Sequence, residues 1–397
     1  AQLVVLPEGT LPSYVLGDDR LDGASVDAAI ERLAGVARDS GAVVIAGAAL
    51  HAAGSPPLRN AAVAIDRDGT VAGRADKLFL WHFDRRWFAP GDVLAPVETS
   101  LGKLGVLVCA DGRIPTIARA LVDCGAELLA MPTAWVTSGR DPAALENVQA
   151  DLLARVRAYE NAVPFVAANK CGAELGMVAY CGKSQIVDAR GRVAAIAGQH
   201  RPETIVADVE IGRARPHRTS PALLERRAAA TSPVRLAISA EPPPRDAARR
   251  LEILGAAHLI APGIGAEGFA ALDATLPAAI VGDGDVLDPG GLVSYRRCGY
   301  ALLVWETRGG EWTPAIARAR ALELRLYVVV LDSDAGRAYA VDPDGTTIAG
   351  TFGDYRIASF SLDPRKSADT TVAPGSDVAE AYERIASLVE RSPEVTA

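Results

Sequence analysis

Short apolar runs alternate along this chain with longer stretches whose apolar positions recur every three to four residues, the signature of strands interleaved with amphipathic helices. The runs "LVVL" (3–6), "VVIAGAAL" (43–50), "AAVAID" (61–66), "LGVLVC" (104–109), "ELLAMP" (127–132), "PFVAAN" (164–169) and "SQIVD" (184–188) predict strands. Residues 23–39, 114–124 and 143–161 predict helices. The pattern breaks at "RARPHRTSPALLERRAAATSP" (213–233), a basic stretch with Pro and Ser that reads as a linker. It resumes at "VRLAIS" (234–239).

The resumed pattern reads as a repeat. "ARVRAYE" (154–160) matches "ARARALE" (317–323), and "VDARGRV" (187–193) matches "VDPDGTT" (341–347). "AQLVVLPE" (1–8) aligns with "AAHLIAPG" (256–263), and "GTVAGRADK" (69–77) with "GLVSYRRCG" (291–299). The expectation is two related α/β domains, 1–212 and 234–397, joined by 213–233. The second repeat carries "PVRLAISAEPPPRDAARRLEILG" (233–255) ahead of its "AAHLIAPG", whereas the first opens at Ala1 directly on "AQLVVLPE". By that comparison the first domain lacks its N-terminal strand and helix, and the chain is expected to be a fragment with an open flank beside Leu3–Leu6, the alternative being a segment of the linker or second domain in the vacant strand position.

Composition narrows the function. The 397 residues exceed one ordinary domain, and 49% hydrophobic with 23% charged residues is the balance of a soluble globular protein. A net charge of −8 without a basic block argues against nucleic acid or an anionic membrane as partner. No apolar run has the length of a bilayer span. Five cysteines without a CxxC pair read as reduced thiols in a cytoplasmic protein. Five scattered histidines without HxxxH argue against zinc, and "DGDVLD" (283–288) lacks the rest of a calcium loop, so no metal is expected.

The candidate chemistry sits in "GVLVCADGRIPTIAR" (105–119), where an apolar strand ends on Cys109 and a turn leads into a helical pattern. Such a turn favours the thiolate and offers the Ala110 N–H to an oxyanion. Two further motifs precede it: "LVVLPEGTLPS", with Glu8 closing a strand, and "DKLFLWHFDRRWFAPGD", opening on Lys77. In this order the three motifs resemble the nitrilase superfamily of carbon–nitrogen hydrolases over nearly all of residues 1–212. The echoes continue in "ELLAMPTAW", "ARVRAYENAVPFVAANKCG" and "GKSQIVDARGRV".

That resemblance implies an α-β-β-α sandwich for each repeat and a Glu8–Lys77–Cys109 triad. Cys109 would be the nucleophile, Glu8 the proton carrier and Lys77 an oxyanion contact beside Ala110. Asp84 falls where many relatives carry a second carboxylate, with a surface salt bridge as the competing reading. Trp135 in "MPTAW" is a pocket-wall candidate or a core tryptophan. Arg113 reads as a brace of the cysteine turn or a carboxylate partner. Thr116 departs from the Pro-Glu that relatives carry there. Cys124, Cys171 and Cys181 read as structural thiols. The Cys-Ala-Asp-Gly elbow points to a carboxamide or N-carbamoyl amide hydrolysed through a thioester, with a nitrile as the alternative and no cofactor.

In the second repeat Glu8 aligns with Gly263 and Lys77 with Gly299, and the cysteine elbow has no aligned counterpart, so that repeat reads as degenerate. Cys298 precedes a strand and is no replacement nucleophile. The two repeats are expected to pair as an internal pseudo-dimer, with further homo-oligomers open. Two rival readings stand beside the hydrolase. "GIGAEG" (263–268) after "HLIAP", with Asp283 about 20 residues on, fits an NAD(P)-binding second domain. A non-catalytic scaffold is the other.

Overall fold

The computed structural model describes residues 1–16, 22–51, 58–137, 145–176, 178–211, 214–215, 224–228 and 230–391. The chain divides into two compact units, Ala1–Pro216 with Val372–Ala397, and His217–Thr371.

The first unit opens with β1 (Leu3–Val5), α1 (Gly23–Ser40), β2 (Val43–His51), β3 (Leu58–Ile65) and β4 (Val71–Asp76). Next come β5 (Val97–Thr99), β6 (Gly102–Val106), α2 (Pro115–Asp123), β7 (Leu128–Thr133), α3 (Ala154–Asn161) and β8 (Phe165–Asn169). It continues through the hairpin β9 (Cys171–Glu174) and β10 (Val178–Cys181) to β11 (Gln185–Val187) and β12 (Val193–Ile196). Four strands form one sheet in the order β1-β2-β3-β4, and six form another, β12-β11-β8-β7-β6-β5. The sheets face each other through β2 against β7 and β1 against β7 and β8. Helix α1 covers the outer face of the first sheet, setting Ile30, Leu33, Ala34 and Ala37 on Val44, Ala48, Val63 and Ile65. Helices α2 and α3 pack outside the second, on β6 and β8. Strand β2 is therefore buried from Val43 to Ala49, and its side chains are apolar or small on both faces.

The second unit contains β13 (Val234–Ser239), α4 (Ala247–Leu254), β14 (His258–Ile260), α5 (Gly265–Thr275) and β15 (Ala278–Val281). These lead to α6 (Asp283–Val286), α7 (Pro289–Arg297), β16 (Leu302–Thr307), α8 (Thr313–Leu324), β17 (Tyr327–Asp332), β18 (Arg337–Val341), β19 (Thr347–Gly350), β20 (Ile357–Leu362) and α9 (Pro364–Ala368). Its sheets run β14-β13-β20 and β15-β16-β17-β18-β19, and their inner faces share one core around Leu236, Ile260, Leu302, Val329 and Phe360.

Four expectations change. Residues 372–391 fold with the first unit, not the second. Helix α10 (Val378–Arg391) buries Val378, Tyr382, Ile385 and Leu388 and packs on α2; its apolar stripe shows in the sequence, but the core that receives it does not. Described parts of the expected linker are held by side-chain contacts. Its residues 213, 216–223 and 229 lie outside the described residues, while Arg215 stacks on Tyr159 and Arg227 pairs with Asp273. "GLVSYRRCG" is mostly helix α7, whereas "GTVAGRADK" contains strand β4, so their alignment was spurious: nine residues rich in Gly and Arg carry no clear period. Finally, the second unit does have a strand–turn–helix, at β15–α6–α7.

The dinucleotide reading also fails. In that fingerprint the strands flanking the glycine-rich helix share a sheet, but β14 pairs with β13 and β15 with β16, in different sheets. Asp283 accepts a hydrogen bond from the Trp305 indole at 2.9 Å.

Among the described residues β1 pairs with β2 alone. The first sheet carries Glu8 into the interior just after β1, where the chain crosses β2 at Gly47. A Cβ on Gly47 would stand 2.5 Å from the Glu8 Cα and 2.6 Å from the Pro7 carbonyl oxygen. Gly47→Ala must therefore displace the backbone that holds Glu8. Thermal unfolding should show a loss of about 1–3 kcal/mol; an unchanged Tm would mean that this crossing is loose.

Candidate active site

Glu8, Lys77 and Asp84 are fully buried, and Cys109 is 4% exposed. The Lys77 Nζ lies 2.7 Å from the Glu8 Oε1 and 2.7 Å from the Asp84 Oδ2. Asp84 is thus no surface salt bridge. It belongs to a short 3-10 helix, His82–Arg86, and accepts two more hydrogen bonds, from the Trp81 N–H at 2.8 Å and the Tyr14 hydroxyl at 3.1 Å. Burial alone would drive the proton off Lys77, but the two carboxylates more than offset it and hold the ammonium well above its ordinary pKa. Burial and the same carboxylates raise the Tyr14 hydroxyl, so it remains a neutral donor.

The two oxygens of Glu8 differ. Oε1 accepts from Lys77 and from the Asn60 side chain, each at 2.7 Å. Oε2 is buried without a hydrogen-bond partner. A carboxylate so arranged has one oxygen clamped and the other available to a proton.

Cys109 follows the extended Val108 and takes φ +49°, in the left-handed region. For a non-glycine residue this costs about 1–3 kcal/mol and persists only where the surroundings hold it. Two braces do so. The Asp111 carboxylate accepts from the Val108 N–H at 3.0 Å and from the Leu78 and Phe79 N–H groups at 3.0 and 2.7 Å, tying the cysteine turn to the segment that follows Lys77. The Arg157 Nε donates to the Gly112 carbonyl at 3.1 Å, and its guanidinium pairs with Glu160; both side chains are buried on α3. Arg113, read from the sequence as a brace of the turn or a carboxylate partner, stacks on the Trp81 ring at 4.5 Å.

Burial raises the Cys109 thiol well above its ordinary pKa, and the Glu8 charge adds to the shift. Lys77, the Thr133 hydroxyl and the Ala134 N–H oppose it without cancelling it. The expectation of a thiolate favoured by the turn is therefore corrected: desolvation dominates and the resting group is the protonated thiol. Ala110 is buried in the turn beside Cys109. Trp135 is 1% exposed just beyond β7; its backbone N–H donates to the Asn169 side chain at 2.6 Å, and its indole N–H has no partner. Thr116 lies on α2, and its hydroxyl is buried without a partner. None of the five cysteines is in a disulfide; Cys124 and Cys181 are buried, and Cys171 and Cys298 half-buried.

Sequence reasoning did not single out Asn60, Tyr14, Asp111, Arg157 or Glu160 as site-building residues. Asp111 was readable as the acidic third residue of the cysteine turn, a capping position. Arg157 and Glu160 lay inside the repeated "ARVRAYE". Asn60 and Tyr14 had no local signal, since they reach the cluster only through sheet pairing and the turn after Glu8. A cleft of about 340 Å³ bordered by Pro7, Lys170, Glu174 and Tyr180 lies to one side, and none of the four charged or thiol residues lines it.

In this mixed α/β unit a buried ammonium stands between two carboxylates, beside a thiol on a strained strand-to-helix turn. The carbon–nitrogen hydrolase model matches residues 1–219, and the chain belongs to that family. A probable nitrilase of Schizosaccharomyces pombe is 32% identical over 159 residues, 40% of this chain and 56% of that protein. The chain thus spans little more than half the length of that relative. An omega-amidase of Xenopus tropicalis is 32% identical over 230 residues, covering 53% of this chain and 77% of its own. A nitrilase of Pyrococcus abyssi is 31% identical over 218 residues, 53% of this chain and 78% of its own. Among solved structures, a carbon–nitrogen hydrolase of Helicobacter pylori G27 is 28% identical with TM-score 0.47, over 51% of this chain and 75% of that one. Among the described residues no helix is long and apolar enough to cross a membrane.

Asp111 sets a pH dependence of stability. Burial lifts its carboxyl to about 7, although the three backbone donors and Lys77 oppose the shift. An unfolded aspartate titrates near ~3.9. Between those values the folded chain holds a proton that the unfolded chain has released, so this contribution to stability is full below the lower value and declines as pH rises to about 7. The Tm of the wild-type protein should therefore fall relative to that of Asp111→Asn between pH 4 and 7. A difference between the two that stays constant over that range would remove the shift.

Proposed function

We propose that the first unit hydrolyses a small carboxamide or N-carbamoyl amide, with Cys109 as nucleophile, Glu8 as proton carrier and Lys77 as electrostatic stabiliser. The observation that carries this reading is the asymmetry of Glu8: Oε1 is clamped by Lys77 and Asn60, and Oε2 is buried with nothing to bind. A protonated thiol needs a base, and an unpartnered buried carboxylate oxygen is one.

Oε2 takes the thiol proton as the sulfur attacks the amide carbonyl. The oxyanion that forms is met by the Ala110 N–H and the Lys77 ammonium. Collapse breaks the C–N bond, and the proton held by Glu8 passes to the departing nitrogen. Glu8 then takes a proton from water, which attacks the thioester, releases the acid and restores the thiol. Asp84 keeps Lys77 charged and in place throughout. Trp135 is assigned to the wall of the substrate pocket. An omega-amidase and N-carbamoylputrescine amidases among the similar proteins support the amide reading, and the nitrilases among them keep the nitrile as its alternative. Five cysteines without a disulfide fit a reducing, cytoplasmic setting.

The second unit is read as a related copy that has lost the chemistry and kept the braces. The Arg320 Nε donates to the Val286 carbonyl at 2.7 Å and its guanidinium pairs with Glu323 at 2.6 Å, as Arg157 does with Gly112 and Glu160. The Asp285 carboxylate accepts from the Gly282 N–H at 2.8 Å, as Asp111 does from Val108. In that register Asp283 stands where Cys109 stands, and no thiol is present at the turn.

The test is a panel of simple amides, N-carbamoyl amines and nitriles. Cys109→Ala should reduce turnover to background with the fold retained. Glu8→Gln should lower kcat by about 10²–10⁴-fold, the range for losing a general base. Near wild-type rates in Glu8→Gln would require another base. Wild-type hydrolysis of nitriles alone would transfer the reading to nitriles, and no hydrolysis at all would favour a scaffold.

A further inference from the structure

The segment that carries Lys77 and Asp84 is irregular, and residues about 300 positions later in the chain satisfy much of its backbone. From Lys77 the chain runs through Leu78, Phe79, Leu80 and Trp81 into the short helix His82–Arg86. Asp111 takes the Leu78 and Phe79 N–H groups. Four further polar groups of the segment and its short helix turn to the part of the first unit that follows the second. The Arg384 guanidinium donates to the Leu78 carbonyl at 2.6 Å. The Ser376 hydroxyl donates to the Leu80 carbonyl at 3.2 Å and accepts from the His82 N–H at 2.8 Å. The Arg85 side chain donates to the Gly375 carbonyl at 2.9 Å.

Ser376 is fully buried, and its hydroxyl spans the two residues flanking Trp81. Trp81 is itself tied by its N–H to Asp84, the carboxylate on Lys77. His82 has φ +43°, so the turn that Ser376 clamps is strained and depends on outside support. Arg384 is half-buried, and burial lowers its pKa while the Asp111 charge works against that shift. None of these C-terminal residues lies within the stretch of the carbon–nitrogen hydrolase match, which ends at 219.

We infer that Ser376 and Arg384 are positioning residues for Lys77 and Asp84, so that the segment returning after the second unit completes the catalytic geometry of the first. They touch no reacting group. They hold the backbone from which the ammonium and its carboxylate project, and displacements of an ångström at such groups are costly to rate. The inference rests on the proposed function for its effect on turnover but not for its effect on the thiol, because Lys77 opposes the raised pKa of Cys109 whatever the substrate.

The experiment therefore reads both. Ser376→Ala and Ser376→Cys are compared with wild type in the full chain, first by the pH profile of Cys109 alkylation with iodoacetamide, scored by mass, then by kcat and KM on the best amide of the panel. In Ser376→Ala the alkylation profile should move to higher pH, and kcat should fall about tenfold or more with KM little changed. Ser376→Cys, which keeps a weak donor of similar size, should recover part of both. A wild-type alkylation profile in folded Ser376→Ala overturns the inference. A shifted profile alongside a wild type that hydrolyses no amide upholds the positioning role and sinks the amidase reading instead. If Ser376→Ala does not fold, Arg384→Met against Arg384→Lys is held to the same outcomes, loss in the first and recovery in the second.

Discussion

The structure of the first unit is organised around one buried ammonium. Lys77 has no access to water and meets two carboxylates at 2.7 Å. Removing one partner of such a cluster costs about 3–5 kcal/mol, because a buried charge is left uncompensated. Each partner must therefore arrive by a fixed route. Glu8 comes off β1 at a crossing so close that only glycine fits at position 47. Asp84 comes on a one-turn helix whose entry is held by Trp81, Tyr14 and Ser376.

The cysteine turn depends on the same cluster through Asp111, which binds the N–H groups of the lysine segment and of Val108 with one carboxylate. Moving Lys77 moves Asp111, and moving Asp111 releases the strained Cys109. Burial that protects this arrangement also raises the thiol pKa, and one oxygen of Glu8, whose charge adds to that shift, is buried without a hydrogen-bond partner.

The second unit carries comparable braces on a turn without a cysteine. Its α8 holds the buried Arg320–Glu323 pair and its α6 the Asp285 cap, and these stabilise a strand–turn–helix there as Arg157, Glu160 and Asp111 do in the first unit.

The sequence by itself determined the α/β alternation, most strand positions and the family motifs with Glu8, Lys77 and Cys109, because these are written in local period and in residue order. It misplaced what has no local signature. The alignment of "GLVSYRRCG" with a strand failed because short Gly- and Arg-rich stretches do not distinguish a period of 2 from 3.6. The return of residues 372–391 to the first unit was invisible, since an amphipathic stripe states that a helix needs a core without stating which one. The thiol's protonation was misjudged for the same reason: a turn at a helix mouth is local, whereas desolvation is set by everything packed around it. Only the tertiary structure decided that Asp84 is buried on Lys77, and that Asn60, Tyr14 and Ser376, from distant parts of the chain, hold the groups that the motifs had named.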